Sequence, residues 1–397
     1  MKKIFIMTGE LSGDKLGAWY LDRVLGYKPV VMAAQDKLVS NEPQDEGSGS
    51  ASAEAVHIEA VGGDFLAGAG AQLYARFETL NITGLFEIVS KLPYIVKMLK
   101  QLTAYIIDNN FDEVVLIDFP GFNLKLAQYL KKKRPELTIT YFSPPQLWCW
   151  GAWRIKKLKK YCDHLIVLYP FEVEWYKQRG LEVQWVGSPV YDRLSKYFEL
   201  ADANKKKYIA IFPGSRIAEI ENMFAAFAQV MKRFLVRYPD VICVLPIAQS
   251  ISRNFIEQKM SQTGLDGYSN RVRVIVDEQE KYNVLSQCCL AITKPGTVTL
   301  ELALLGIPAI VMFKTTWLNY LLMRPFVRVR YMALPNLLLN KEVYPELIQG
   351  DCVPERIFEQ ATSLYESYCS GGDQYRYKQQ ELLRLRAELS PENKIKK

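Results

Sequence analysis

The chain opens with the apolar run KIFIM at residues 3–7, the acidic turn TGELSGD at 8–14 and the helix-forming stretch KLGAWYLDRVL at 15–25. A run that is apolar throughout is typical of a parallel strand buried on both faces. A strand, a glycine-containing turn and a helix, in this order, mark the ligand-binding edge of an α/β sheet, because backbone N–H groups and the helix dipole converge there. The opening therefore predicts an α/β fold with a ligand site at residues 8–14.

The turn carries two carboxylates, Glu10 and Asp14. Two negative charges repel a phosphate group, so the turn suits the hydroxyls of a sugar-like ligand better than a pyrophosphate. The alternative is simple helix capping, with Ser12 or Asp14 as the N-cap and Glu10 in solvent. The sequence leaves both interpretations open.

Strand-like and helix-like segments alternate along the chain, which predicts parallel sheets. A second strand, turn and helix, KYIAIFPGSRIAEIENMFAAFAQVMKRF at 207–234, repeats the pattern of the opening and indicates a second Rossmann-like half. The predicted strands lie at 3–8, 56–61, 113–118, 137–142, 164–169 and 182–186 in the first half and at 241–246, 271–276, 288–293 and 308–313 in the second.

These patterns predict two doubly wound domains that face each other across a cleft. The first domain is expected at 1–190, with a Ser-, Gly- and acid-rich mobile insertion at 35–55. A linker is expected at 191–206, the second domain at 207–370, and a C-terminal helix and tail at 371–397.

Composition indicates a globular protein that works in a reducing cytoplasm. The chain has 397 residues, 49% of them hydrophobic, and its seven cysteines form neither a CxxC pair nor a disulfide framework. The apolar segments at 81–107 and 300–323 are interrupted by charges, glycine or proline, so no transmembrane helix is expected. The net charge of +7 is concentrated in a few basic clusters, which suggest that the protein binds an anionic surface or ligand. The alternative is that these clusters are ordinary solvated helix faces. No sequence signature of nucleic-acid binding accompanies them. The clusters lie at 131–134, 154–160, 205–207 and 324–330.

Several chemistries lack the residues that they require. His57 and His164 are the only histidines, which leaves almost no material for a His-ligated metal or a Ser-His-Asp triad. The chain has no Asp-x-Asp pair, no GxGxxG after a strand and no GxxxxGK[ST]. Carboxylates are therefore expected to carry the acid–base chemistry, on a nucleotide-linked substrate and without a metal or other cofactor.

The segment VVLIDFPGFNLKLA at 114–127 places Asp118 at the end of a buried-type strand. A carboxylate at the carboxyl edge of a sheet suits a general base. The alternative makes Asp118 the cap of the helix that contains Asn123.

Two turns in the second half predict a nucleotide site. FPGSRIAEIE at 212–221 offers a glycine turn and an arginine, whose planar fork suits a diphosphate. TKPGTVTLELALLGIPAIV at 293–311 offers a helix start for pyrophosphate and an acidic side chain for ribose hydroxyls. The predicted nucleotide-binding residues are Gly214, Ser215, Arg216, Gly296, Thr297, Thr299 and Glu301.

Taken together and in this order, the motifs resemble the lipid-A-disaccharide synthase family over nearly the whole chain. The resemblance rests on GELSGDKLGA, IDFPGFNLKLA, SPPQLWCW, LYPFEVEWY, WVGSPVYD, FPGSRIAEIE, KPGTVTLELAL and YMALPNLLLNKEVYPELIQ. It implies a GT-B fold, with the acceptor mainly on the N-terminal domain and the nucleotide mainly on the C-terminal domain.

The resemblance also implies site residues. The family's essential aspartate falls on Asp118, with Glu10 and Arg216 as further catalytic residues. The substrate-binding residues are expected to be Ser12, Asp14, Asn123 and Asn336. This chain departs from the family in two places. It has Pro295, Gly296 and Thr297 where the family often has Ser-Gly-Thr, so the contact of a serine hydroxyl with phosphate is not expected here. The segment after Trp150 is also longer than in the family.

By the same resemblance, the expected enzyme is an inverting glycosyltransferase of lipid A (lipopolysaccharide) synthesis in Gram-negative bacteria. It would join UDP-2,3-diacylglucosamine to 2,3-diacylglucosamine 1-phosphate and release UDP, with Asp118 taking the proton from the acceptor hydroxyl. The alternatives are another UDP-sugar enzyme of the same fold, namely a peptidoglycan N-acetylglucosaminyltransferase or a UDP-N-acetylglucosamine 2-epimerase, and a catalytically silent lipid or nucleotide-sugar binding protein.

The segment ITGLFEIVSKLPYIVKMLKQL at 82–102 carries apolar residues at helical spacing. One interpretation is an acyl-chain or membrane-surface patch, with Leu85, Phe86 and Ile95 facing lipid. The alternative is a core face packed on the sheet. The expected location is the cytoplasmic face of the inner membrane, with peripheral contact. The sequence leaves the oligomeric state open, with a homodimer as one alternative.

Overall fold

The computed structural model describes residues 1–27, 56–80, 92–203, 205–317, 320–321 and 329–391. Its contacts divide the chain into two compact units, Met1–Val186 and Gly187–Lys397. Residues 191–206, expected as a linker, belong to the second unit, where most of them form short helices. The proposed insertion at 35–55 lies outside the described residues.

The first unit is built on a seven-stranded parallel sheet with the order β3-β2-β1-β4-β5-β6-β7. Its first five strands in chain order are β1 (Lys2–Met7), β2 (Val56–Gly62), β3 (Gln72–Arg76), β4 (Glu113–Ile117) and β5 (Thr138–Phe142), followed by β6 (His164–Val167) and β7 (Gln184–Trp185). The helices are α1 (Leu11–Arg23), α2 (Asp64–Gly68), α3 (Leu92–Asp108), α4 (Pro120–Lys133), α5 (Ile155–Tyr161) and α6 (Pro170–Lys177).

Both faces of this sheet are covered, which explains the unbroken apolar run at the start of the chain. Phe5 and Met7 of β1 belong to the core on one face, while Ile4 and Ile6 belong to the core on the other. Because side chains alternate along a strand, only a strand buried on both sides is apolar at every position.

The strand order reverses between β1 and β4, which are adjacent in the middle of the sheet. Chain segments that leave the carboxyl ends of these two strands run to opposite sides, which opens a crevice at this point. Residues 8–14 follow β1, and Asp118 follows β4. The fold of the first unit therefore places two of the predicted motifs at its topological switch point.

The second unit has a six-stranded parallel sheet with the order β10-β9-β8-β11-β12-β13. Its switch point lies between β8 and β11, which precede the two predicted nucleotide-binding turns. The strands are β8 (Lys206–Ile211), β9 (Ile242–Pro246), β10 (Val272–Ile275), β11 (Cys288–Thr293), β12 (Ala309–Phe313) and β13 (Glu346–Ile348). The helices are α7 (Pro189–Leu194), α8 (Phe198–Ala203), α9 (Ile217–Arg237), α10 (Arg253–Gln262), α11 (Glu278–Leu285), α12 (Thr297–Leu304), α13 (Leu334–Leu339), α14 (Pro354–Cys369) and α15 (Asp373–Glu388).

Helix α3 covers the later part of the apolar segment at 82–102. Ile95, Leu99 and Leu102 are buried in the core of the first unit. Ile95 therefore does not face lipid, because it packs on the sheet as an ordinary core helix residue does. Leu85 and Phe86 lie outside the described residues. No helix in the described ranges is both long and apolar enough to span a bilayer.

Candidate functional site

The turn after β4 has an unusual backbone conformation. Asp118 and Phe119 both adopt positive φ angles, 47° and 46°. For residues other than glycine this conformation costs roughly 1–2 kcal/mol each. The Asp118 carbonyl oxygen accepts two hydrogen bonds that stabilise the turn, from the Tyr141 hydroxyl at 2.7 Å and from Nδ2 of Asn123 at 2.8 Å. A strained turn that its surroundings hold in place is typical of a functional site.

The environment of Asp118 makes it a weaker acid than an ordinary aspartic acid. Burial is the main cause, the negative charge of Glu10 adds to it, and a hydrogen bond from the Phe119 backbone opposes both; together they raise the pKa of Asp118 to about 6. A carboxylate with a pKa near the working pH is still mostly ionised at pH 7 and accepts a proton readily. Asp118 therefore has the properties of a general base.

Glu10 and Asp118 lie in turns that follow the adjacent strands β1 and β4, so the structure brings the two carboxylates to the same edge of the sheet. Glu10 immediately precedes α1, is exposed, and accepts a 2.5 Å hydrogen bond from the Ser12 hydroxyl. The close approach of the two turns depends on Gly9, because a Cβ atom there would lie 2.3 Å from a ring carbon of Phe119. The turns after β1 and β4 thus form one polar site in the first unit.

Asp14, predicted to contact substrate, has a structural role. It is fully buried, and its carboxylate accepts hydrogen bonds from the backbone N–H groups of Gly63 at 2.7 Å, Phe65 at 3.0 Å and Leu66 at 3.2 Å. These groups are the free donors at the start of α2. Asp14 therefore caps α2, a helix distant in sequence, and not its own helix.

Asn123, also predicted to bind substrate, is fully buried. Its Nδ2 atom donates to the carbonyl oxygens of Ile117, at 3.2 Å, and Asp118. Its Oδ1 atom is buried without a hydrogen-bond partner among the described residues. Asn123 therefore holds the Asp118 turn, and its contact with substrate stays a prediction.

The second unit contains a cavity of about 350 Å³ at its switch point. Gly214, Ser215, Gly296, Thr297 and Glu301, five of the predicted nucleotide-binding residues, line it. The two glycines have φ angles of 135° and 147°, which side chains rarely permit. The remaining lining residues come from the ends of β8, β9 and β11 and from nearby helices: Phe212, Glu219, Pro246, Ile247, Ala248, Lys281, Thr293, Lys294, Pro295 and Val298.

Glu301 is a buried carboxylate held between two cations. Arg193 contacts one of its oxygens at 2.5 Å and Lys281 contacts the other at 3.1 Å. Burial disfavours the charged form, but the two cations outweigh it and lower the pKa of Glu301 below its ordinary value. Glu301 thus presents a permanent negative charge at the cavity wall, where a ribose hydroxyl can donate to it.

Thr299, a predicted nucleotide-binding residue, belongs to the framework around the cavity. The Thr299 hydroxyl is buried, donates to the Gly296 carbonyl at 2.7 Å and accepts from the backbone of Leu334. Its bonds hold the start of α12 and leave it no exposed surface for a nucleotide. Thr299 therefore has a structural role in this site, and its contact with nucleotide stays a prediction.

Asn336, predicted to bind substrate, is fully buried and its hydrogen bonds are all internal. Its Oδ1 atom accepts from the backbone N–H groups of Val343 and Tyr344, both at 2.8 Å. Its Nδ2 atom donates to the Tyr344 carbonyl at 2.7 Å and to Glu346 at 2.8 Å. Asn336 therefore links α13 to the segment that leads into β13.

Arg216 lies on the surface immediately before α9 and is not among the residues that line the cavity. Lys281 and Lys294, which were not predicted from the sequence, do line the cavity. Lys294 forms an ion pair with Glu219 at 3.2 Å. Lys294 directly follows β11, a position that could have marked it. Lys281 gives no such signal, because it lies within α11 and reaches the cavity wall through its ion pair with Glu301 of α12.

The family model and the curated relatives that match this chain all belong to one family. The model of the lipid-A-disaccharide synthetase family matches residues 38–397. The chain is 31% identical over 372 residues to the lipid-A-disaccharide synthase of Idiomarina loihiensis, covering 92% of this chain and 89% of the relative. It is 29% identical over 363 residues to the synthase of Geobacter metallireducens, covering 90% of this chain and 86% of the relative.

Solved structures resemble the chain in fold. The UDP-GlcNAc 2-epimerase of Neisseria meningitidis, bound to UDP-GlcNAc, superposes with a TM-score of 0.59 at 13% identity, covering 100% of this chain and 98% of the epimerase. A glycosyltransferase from Rickettsia africae gives a TM-score of 0.54 at 13% identity, covering 100% and 96%. These likenesses confirm the GT-B fold, and the sequence relatives identify the family: the chain belongs to the lipid-A-disaccharide synthetase family of glycosyltransferases.

Proposed function

We propose that this protein transfers the diacylglucosamine unit of UDP-2,3-diacylglucosamine to the 6-hydroxyl of 2,3-diacylglucosamine 1-phosphate. The products are lipid A disaccharide 1-phosphate and UDP. Family membership supports a glycosyltransferase that forms the lipid A disaccharide. The observation that carries the mechanism is the Asp118 turn, where a carboxylate with a raised pKa sits at the switch point of the first unit.

In the proposed reaction Asp118 removes the proton of the acceptor hydroxyl as its oxygen attacks the anomeric carbon. The new C–O bond forms on the face opposite the departing phosphate, so the anomeric configuration inverts. The bond between the anomeric carbon and the diphosphate oxygen breaks, and UDP leaves with the electron pair. The proton stays on Asp118 until it is released to solvent.

The departing diphosphate needs positive charge beside it. In the cavity of the second unit, the helix start at Gly296 and Thr297 supplies partial positive charge. Lys281 and Lys294 line the same cavity and are paired with Glu301 and Glu219 there, so we propose that they turn toward the diphosphate when it binds. Arg216, outside the cavity lining, is proposed to contribute from its edge. These groups support a mechanism that needs no metal ion.

The lipid nature of the substrates is supported by apolar side chains at the carboxyl edge of the first sheet. Leu11 and Phe65 follow β1 and β2 and are 44% and 45% exposed. Trp150 and Trp153 follow β5 and are also exposed. Exposed apolar groups around a polar site suit a ligand with acyl chains, and they support peripheral contact with the cytoplasmic face of the inner membrane.

The proposal is tested with purified protein, both diacylated substrates and detergent, followed by mass spectrometry of the lipid product. A disaccharide 1-phosphate that appears together with UDP supports it. An epimerase would instead convert UDP-N-acetylglucosamine without a lipid acceptor, and a silent binding protein would retain UDP-sugar without turnover. Either of these results, in place of disaccharide formation, would contradict the proposal.

A further inference from the structure

The carboxylate of Glu219 connects the two turns that line the cavity of the second unit. Its Oε2 atom accepts a hydrogen bond from the backbone N–H of Ser215 at 3.2 Å. The Nζ atom of Lys294 lies 3.2 Å from the same oxygen. Ser215 follows β8 and Lys294 follows β11, the two paired strands at the switch point of the sheet. One oxygen of Glu219 therefore receives a donor from each turn.

Glu219 reaches this position from the first turn of α9. It is the third residue of the helix, and Arg216, directly before the helix, provides no side-chain cap. A glutamate at the third position of a helix commonly accepts from the backbone N–H of the capping residue. Glu219 instead reaches one residue further back, to Ser215. Gly214 leaves room for it, because a Cβ atom at Gly214 would lie 3.0 Å from Oε2 of Glu219.

The two donors on this oxygen are of the kind that binds a phosphate oxygen. Backbone N–H groups in a turn that opens a helix form an anion site, because the helix dipole lies behind them. A lysine ammonium adds a full positive charge. Ser215 and Lys294 both line the cavity, together with the helix start at Gly296 and Thr297. Glu219 therefore places a carboxylate oxygen where an oxygen of a diphosphate fits.

The ion pair of Lys294 is weaker than that of Lys281. Lys281 shares Glu301 with Arg193, and the side chain of Glu301 is only 8% exposed. The side chain of Glu219 is 29% exposed, and Lys294 is the one cation paired with it among the residues that the structure describes. A partly exposed ion pair contributes little to stability, so it can be exchanged at small cost. Glu219 is therefore the more easily displaced of the two carboxylates.

We propose that Glu219 is a positioning residue that occupies the diphosphate site and gives way to the diphosphate of the UDP-sugar. Its carboxylate holds the Ser215 turn and the Lys294 ammonium in the arrangement that the diphosphate uses. When the diphosphate binds, Glu219 turns away, and its return to Lys294 favours the release of UDP. This role rests on the proposed function for the identity of the ligand, and it adds that the chain carries a competitor of its own product.

The test measures the dissociation constant of UDP by isothermal titration calorimetry. Glu219→Gln keeps an acceptor for the Ser215 N–H and removes the charge that competes for Lys294. UDP should bind about 3- to 5-fold more tightly to this variant, the factor that corresponds to one partly exposed ion pair. The matched control is Glu221→Gln, which removes the same charge from an exposed position of α9 and should leave the dissociation constant unchanged.

The sign of the effect separates displacement from a merely structural role. If Glu219 only ordered the Ser215 turn, its substitution would weaken UDP binding. Uridine, which has no phosphate, should bind wild type and Glu219→Gln equally. In a Lys294→Gln background, Glu219→Gln should change the dissociation constant of UDP by less than about 2-fold, because the two residues act as a pair.

A second variant keeps the test informative if Glu219→Gln fails to fold. Glu219→Asp keeps the negative charge at the start of α9 and shortens the side chain by one methylene group, so the carboxylate no longer reaches both donors. UDP should again bind more tightly than to wild type. The gain should be smaller than in Glu219→Gln, because the charge stays near the site.

The role of Glu219 is overturned if UDP binds both Glu219 variants with wild-type affinity or more weakly. It is also overturned if Glu221→Gln or the Lys294→Gln background shows the same gain, or if uridine gains as much as UDP. Disaccharide synthesis reports on the proposed function separately. Synthesis without a gain in UDP affinity contradicts only the role of Glu219, and a gain without synthesis contradicts only the transferase function.

Discussion

The hydroxyl of Tyr141 on β5 donates a 2.7 Å hydrogen bond to the backbone carbonyl of Asp118 on the neighbouring strand end. Tyr141 is fully buried and lies in the core beneath the turn. It therefore links the packing of the sheet to the conformation of the candidate base without reaching the substrate.

Tyr141→Phe should lower kcat about 3- to 10-fold and leave the KM for UDP-sugar near wild type, because one hydrogen bond of roughly 1 kcal/mol no longer orients the base. Steady-state kinetics measures both constants. Tyr344→Phe is the matched control, since it removes an equally buried 2.7 Å bond to the Ile307 carbonyl in the second unit. Equal kinetic effects from the two variants would contradict a positioning role for Tyr141.

The pH dependence of kcat/KM should show an acid limb with a midpoint near pH 6, the pKa of Asp118. Below that pH the carboxyl is protonated and cannot accept the hydroxyl proton, so activity falls. Because the charge of Glu10 helps to raise this pKa, Glu10→Gln should move the limb to lower pH. A limb that stays in place in Glu10→Gln would show that the two carboxylates do not interact.

Activity should survive an excess of EDTA, because lysines and a helix start are proposed to stabilise the leaving diphosphate. The measurement is the initial rate of UDP release with and without chelator, with a metal-dependent glycosyltransferase as the positive control. If EDTA inhibits UDP release and added magnesium or manganese restores it, the metal-free mechanism is contradicted.

Asn336→Ala should destabilise the protein and not selectively impair substrate binding. The variant leaves the backbone N–H groups of Val343 and Tyr344 buried without their acceptor, at a cost of about 1–3 kcal/mol in the free energy of unfolding. Denaturant unfolding checks this, with the exposed Asn254→Ala as control. An unchanged unfolding midpoint combined with a raised KM would contradict the structural role and support contact between Asn336 and substrate.

Strands that are buried on both faces, such as β1 and β4, are predictable from sequence, because a short unbroken apolar run followed by a turn is typical of such a strand. Strands β3 and β13 were not predicted. The first alternates between exposed and half-buried residues, and the second has three half-buried residues, so neither shows that signal.

Site residues were harder to assign than strands. Asp14 and Asn336 have the polar chemistry of ligand contacts, yet their partners are backbone groups 49 and 7 residues away in sequence. A sequence shows that a polar side chain needs a partner, but it does not show whether that partner is protein or ligand. Asp118 was easier to place, because a strand end at a switch point is open on one side.

The central claim is that Asp118 is the general base, and Asp118→Asn tests it most directly. The charged carboxylate is disfavoured in the folded state, so its contribution to stability falls as pH rises from its ordinary pKa of 3.8 to about 6. Asparagine removes that charge. The melting temperature of the variant at pH 7.5 should therefore match or exceed that of wild type, which excludes unfolding as the cause of lost activity.

The decisive measurement is the turnover rate of Asp118→Asn, alongside its affinity for UDP. We predict a loss of about 100- to 10,000-fold in rate with UDP affinity near wild type. A folded variant that keeps more than about a tenth of wild-type turnover would contradict the assignment of Asp118 as the base.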